Sequence, residues 1–112
     1  MIHPGDAVTL SATGTILPGA FLGVRTSPEG GLAHPPAEDA PVPPAVDADA
    51  NAHSLIARVG AAPWFEARSF HEWRAGSDQH GVLVLASNAP AWTAGEADAA
   101  WTITVEVRQA AR

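Results

Sequence analysis

The chain reads as an all-β protein, a small antiparallel β-sandwich, on three observations. Short segments alternate apolar and polar residues with a period of two, as half-buried strands do. Turn residues break the chain between those segments, and no stretch carries the period-3.6 apolar stripe of a packed helix over a helix's length. Its 112 residues fit a single domain, 1–112, with enough chain to bury a core without covalent staples.

The first strand is expected over Asp6 to Ala12, where Val8, Leu10 and Ala12 share a face after a Pro4-Gly5-Asp6 turn. Thr15 to Val24 is apolar but interrupted by Pro18 and Gly19, which gives a short strand and a loop. Ser27 to Asn51 holds six prolines. Each removes a ladder donor, so this is a long loop. Strand pattern returns from His53 to Val59, and Gly60 to Pro63 is a turn. Trp64 to Trp73 mixes aromatic and polar residues, as expected of a strand with a bend, with Trp64 and Trp73 in core or edge packing. Gly81 to Leu85 is apolar on both faces, which is the pattern of a central strand. Ser87 to Ala100 is a second loop. Trp101 to Val107 alternates cleanly, with Trp101, Ile103, Val105 and Val107 inward. Several short strands separated by turns make a sandwich or barrel.

Charge narrows the partners. Six Arg, no Lys and twelve acidic residues give a net charge of −6. Binding to a nucleic-acid backbone needs clustered cations, and these arginines are scattered, so nucleic acid is excluded. No apolar run reaches the roughly 20 residues of a membrane helix, so membrane insertion is not expected. Met1 to Asp6 has neither a basic nor an apolar leader segment, which implies a cytoplasmic protein or one exported without a classical signal peptide.

A search for chemistry finds little that is catalytic. With no cysteine, thiolate metal sites and thiol nucleophiles are absent. The histidines at 3, 34, 53, 71 and 80 lack zinc-motif spacing. No nucleophile elbow occurs, and the acidic pairs Glu38-Asp39 and Asp47-Asp49 lie in the proline-rich loop rather than on rigid elements. The chain is therefore expected not to be an enzyme. Glu96 and Asp98, in the loop before the last strand, are either a plain acidic surface loop or oxygen ligands of the kind that hold calcium. Trp92 in the same loop either folds back on the core or offers a flat face for stacking on a sugar or aromatic ligand.

Several stretches, in order, resemble the PA-IL type galactose-binding lectins, calcium-dependent β-sandwich domains. They are Pro4-Gly5-Asp6 with Val8-Thr9-Leu10, then Ala12-Thr13-Gly14, then Ser27 through Pro35 with its His34-Pro35 pair. Leu55-Ile56-Ala57-Arg58-Val59-Gly60, Gly81-Val82-Leu83-Val84-Leu85-Ala86-Ser87-Asn88, Thr93, Gly95 and Trp101 to Val105 continue the match. The resemblance implies a jelly-roll-like, galactose-binding-domain-like sandwich whose site is a calcium ion that also orients sugar hydroxyls.

Carried over, it places His34, Pro35, Trp92, Thr93 and Glu96 at the sugar, and Pro18, Thr93, Glu96 and Asp98 at calcium. The chain departs from the pattern where Ala89 and Ala97 replace an Asp and an Asn of the calcium loop, and where Ala37 replaces a sugar-contacting Gln. Calcium wants 6–8 oxygens, so the resemblance implies weak or absent calcium binding. Only Met1-Ile2-His3 precedes Pro4, where the family carries a further strand or two. An edge left uncovered there would suit a partner protein or a homo-oligomer. The expected function is a lectin-like, carbohydrate-binding module for galactose-related sugars. The alternative is a degenerate lectin fold that acts in protein interaction or oligomerisation.

Overall fold

The computed structural model describes residues 1–15, 26–31, 36, 38–89 and 100–110. Among these the regular structure is all strand: β1 (Ala7–Thr15), β2 (Leu55–Val59), β3 (Phe65–Glu66), β4 (Phe70–Arg74), β5 (Leu83–Ser87) and β6 (Ala100–Arg108). They form two antiparallel sheets, ordered β4-β1-β6 and β3-β2-β5. The sandwich read from the sequence is thus present, with all paired strands antiparallel.

Alternation decides what lies between the sheets. Val8, Leu10 and Ala12 of β1 point inward, and so do Leu55, Ala57 and Val59 of β2. Leu10, Ala12, Leu55, Ala57 and Ala67 form the central cluster, margined by Phe65, Trp73, Leu83, Leu85, Trp101 and Ile103. Ile2, Val8, Val59 and Ala75 close one end. Burial of this apolar surface is the main stabilising term.

The proline-rich loop forms a third layer. Val42 and Ala50 pack on Ile56, whose side chain leaves β2 on the face away from the core. Asn88, at the end of β5, holds the loop there. Its Oδ1 accepts from Val42 N at 2.9 Å, and its Nδ2 donates to the carbonyls of Val42 and Asn51, each at 3.0 Å. Three satisfied bonds make a buried amide stable where an unpaired one would be costly.

Some expectations are corrected. Gly81 to Leu85 was expected to be a central strand. Instead β5 runs from Leu83 to Ser87, and among the described residues it pairs with β2 alone. Val82 and Val84 are 64% and 39% exposed. The loop layer covers Ala86 but not the positions across from Arg58, so an apolar outer face did not mean a covered one. In β6, Val105 and Val107 lie across from Leu10 and Val8, on the expected face. They remain 40% and 43% exposed, because the second sheet, whose outer strand has five residues, does not cover them.

The bend expected between Trp64 and Trp73 separates β3 from β4. Arg68 takes the left-handed conformation (φ 57°) there, and the chain crosses from one sheet to the other. Two other points are fixed tightly. Ile2 exchanges backbone hydrogen bonds with Gly81 at 2.8 and 2.9 Å, so one residue before Pro4 pairs as an isolated bridge. Gly60 (φ 58°) lies so near His80 that a Cβ would sit 2.3 Å from its carbonyl oxygen, and only glycine fits.

Candidate functional site

The flank of the sandwich formed by β3 and β4 is closed by side chains, because those strands hydrogen-bond to β2 and β1 and not to each other. His71 and Trp73 alternate with exposed neighbours on β4, so both face inward toward Phe65 of β3. The Phe65 ring meets Trp73 edge-on at 4.9 Å and His71 at 5.4 Å, while His71 and Trp73 lie 5.2 Å apart. These are favourable aromatic separations.

Trp64 extends the aromatic surface. The guanidinium of Arg58 sits 5.1 Å from its ring centroid, a cation–π distance, and fixes the ring from one side. Together with Pro63, Asp47, Glu66 and Gln79, these rings line an open trough of about 450 Å³. That is within the usual size of small-molecule sites.

The polar groups have distinct roles. Gln79 Oε1 accepts from Trp73 Nε1 at 3.1 Å and from Gly76 N at 2.9 Å. Two donors on one atom identify it as the oxygen. The Nε2 hydrogens have no partner among the described residues and can donate to a ligand. Asp47 Oδ1 accepts from Asp49 N at 2.9 Å, which leaves Oδ2 as an acceptor. Burial holds the His71 pKa below its ordinary 6.5, so the ring is neutral at neutral pH.

Glu66 is wall rather than ligand group. Its Oε2 accepts from Asn51 N and Ser54 Oγ at 2.7 and 2.6 Å, and its Oε1 accepts from Arg68 Nη2 at 2.9 Å. Other inward carboxylates are also structural. Buried Asp6 accepts from His3 N at 3.0 Å and from Ala110 N at 2.9 Å, tying the first turn to the end of β6. Glu29 accepts from both the backbone N–H and the hydroxyl of Ser69.

The residues expected at sugar or calcium, His34, Pro35, Trp92, Thr93, Glu96, Pro18 and Asp98, all lie outside the described residues, as do Ala37 and Ala97. Of the implied calcium-loop positions Ala89 is described, and Asn88 precedes it. Asn88 spends its amide on backbone groups, and Ala89 has no side-chain oxygen. Among the described residues no three His, Asp or Glu side chains come together as a metal site.

Sequence reading missed the trough. It treated Trp64 and Trp73 as packing alone. The available signal was aromatic density: Trp64, Phe65, Phe70, His71 and Trp73 fall within ten residues, and His71 and Trp73 share a strand face. No protein-family model matches the chain, and no curated protein is significantly similar to it.

Proposed function

We propose that this domain is a lectin-like carbohydrate-binding module, and that the aromatic trough on the β3–β4 flank takes a neutral pyranose. The observation that carries this reading is the contiguous surface of Trp64, Phe65, His71 and Trp73, bordered by one free amide donor and one free carboxylate acceptor. The apolar face of a pyranose, made of C–H groups, stacks on such rings. Its hydroxyls both donate and accept, so they suit Asp47 Oδ2 and Gln79 Nε2 together.

Competing ligand classes fit less well. The rings of Phe65, His71 and Trp73 touch one another instead of standing apart around a void, so they form a platform and not a cage for a quaternary ammonium. An acidic glycan would meet Asp47 in a chain of net charge −6. One stacked ring and two hydrogen bonds give modest affinity, a dissociation constant of about 1 mM, or about −4 kcal/mol. The sequence resemblance to the PA-IL type lectins supports the same class of ligand but places it at His34, Pro35, Trp92, Thr93 and Glu96.

A glycan array probed with the domain multimerised on a carrier, so that avidity brings a millimolar affinity into range, with calcium and again with chelator, tests the proposal. Binding of neutral glycans, equal in the two conditions, is the expected result. Binding that requires calcium would move the site to the loops. An absence of binding to any glycan would remove the carbohydrate reading altogether.

A further inference from the structure

The outward face of β4-β1-β6 carries a regular charge grid. In register, Thr9 lies between Glu72 and Glu106, and Ala7 lies between Arg74 and Arg108. One row is thus acidic at both ends, and the next, roughly 7 Å along the strands, is basic at both ends. Two of the chain's six arginines stand in that single row.

These charges are not spent on one another. No Glu–Arg ion pair forms within this face. Glu72 is held by Thr9 Oγ1 at 3.3 Å and Arg74 by the carbonyl of Gly5 at 2.9 Å, while the side chains of Glu106 and Arg108 have no hydrogen-bond partner among the described residues. Between the long flanking side chains, Ala7 and Thr9 leave a furrow of about 440 Å³.

From this pattern we infer that the face docks on a second copy of the chain, related by a two-fold axis that runs across the strands between the two rows. That rotation keeps each strand position and exchanges the rows. Glu72 then meets Arg74 of the second copy and Glu106 meets its Arg108, giving four ion pairs by symmetry in an isologous interface. The usual angle of about 30° between stacked sheets displaces groups this near the axis by only about 3 Å, within the reach of Glu and Arg.

The same operation carries Phe70, 62% exposed on this face, toward the end where β4 runs out into Gly76. Ala7 and Thr9 of the two copies face each other across water held in the furrows. The three-stranded face offers on the order of 400 Å², below the roughly 800 Å² per partner of a stable complex. The dimer is therefore weak, reversible and sensitive to salt.

This surface is separate from the sugar trough, so the inference does not depend on that reading, and its test uses no sugar. Sedimentation velocity of the full chain over a concentration series, in about 50 and 500 mM NaCl, should show a reversible dimer whose dissociation constant rises at least about tenfold with salt. The double variant Glu72→Arg/Glu106→Arg and the double variant Arg74→Glu/Arg108→Glu should each be monomeric alone and should form a dimer when mixed. If a double variant fails to fold by circular dichroism, Glu106→Arg and Arg108→Glu run the same mixing test, because neither side chain holds a structural bond. A chain that is monomeric at low salt, or a dimer that survives both high salt and the charge reversals, overturns the inference.

Discussion

Trp73 and Gln79 are locked together: the indole Nε1–H of Trp73 donates to Gln79 Oε1 at 3.1 Å, and the same oxygen takes Gly76 N–H at 2.9 Å. The bond orients a ring on β4 and an amide on the following turn as one unit. It also satisfies the polar end of a half-buried Trp, and it leaves the amide N–H groups for a ligand.

Gln79→Glu separates these two roles. A carboxylate still accepts from Trp73 and Gly76 but has no hydrogen to donate. The fold should be retained, and sugar affinity should fall about five- to tenfold, the size of one lost hydrogen bond. Calorimetry on wild type and variant reads this directly.

Acid should weaken binding through His71. Its pKa is already below 6.5 because of burial, and a stacked ligand buries it further, so the complex favours the neutral ring more strongly than the free protein does. Affinity should be constant above about pH 6.5 and should decline as pH falls below it, with proton release on binding. His71→Phe keeps a flat ring and should abolish the decline. Titrations at several pH values distinguish the two proteins.

Glu29 makes a second pH-dependent contribution, to stability. The Ser69 hydroxyl and then the Ser69 backbone N–H hold its carboxyl below the ordinary 4.5, with a smaller contribution from Arg68, against the opposing effect of burial. A lowered carboxylate pKa adds stability that is fully present above the unfolded value and is lost as pH falls through the folded value. Glu29→Gln should therefore melt below wild type at pH 7, and the gap should narrow as pH drops below about 4.5. Thermal melts across that range measure it.

Asn88→Ala should destabilise the domain by roughly 3 kcal/mol, since it strands the buried N–H and C=O of Val42, while the carbonyl of Asn51 keeps the Ser54 hydroxyl. The loop layer over Ile56 should loosen first. Hydrogen exchange should show Val42 and Ala50 losing protection before Leu10 does.

The layout of the fold was legible because alternation is a local signal. Val8, Leu10 and Ala12 announce a buried face, and the run from Trp101 to Val107 announces another, and both lie where their period puts them. What periodicity does not encode is the extent of the facing sheet, so the exposure of Val105 and Val107 and the edge position of β5 could not be read from it. The trough was illegible for a related reason. Its walls come from β3, β4, the turn at Gln79 and the loop at Asp47, and only the tertiary crossing at Arg68 brings Phe65 against His71 and Trp73. The site residues suggested by the family resemblance all lie outside the described residues.

The four tryptophans supply the most direct test of where a sugar sits. Each gives one indole N–H resonance in a ¹⁵N-correlated spectrum. Trp73 is bonded to Gln79, and Trp101 is bonded to the carbonyl of Thr26 on another part of the sandwich. On titration with the best neutral glycan from the array, the Trp64 and Trp73 signals should move together and saturate at one dissociation constant, while Trp101 stays in place. Movement of the Trp92 signal alone, or of none of the four, would contradict the assignment of the aromatic trough as the binding site.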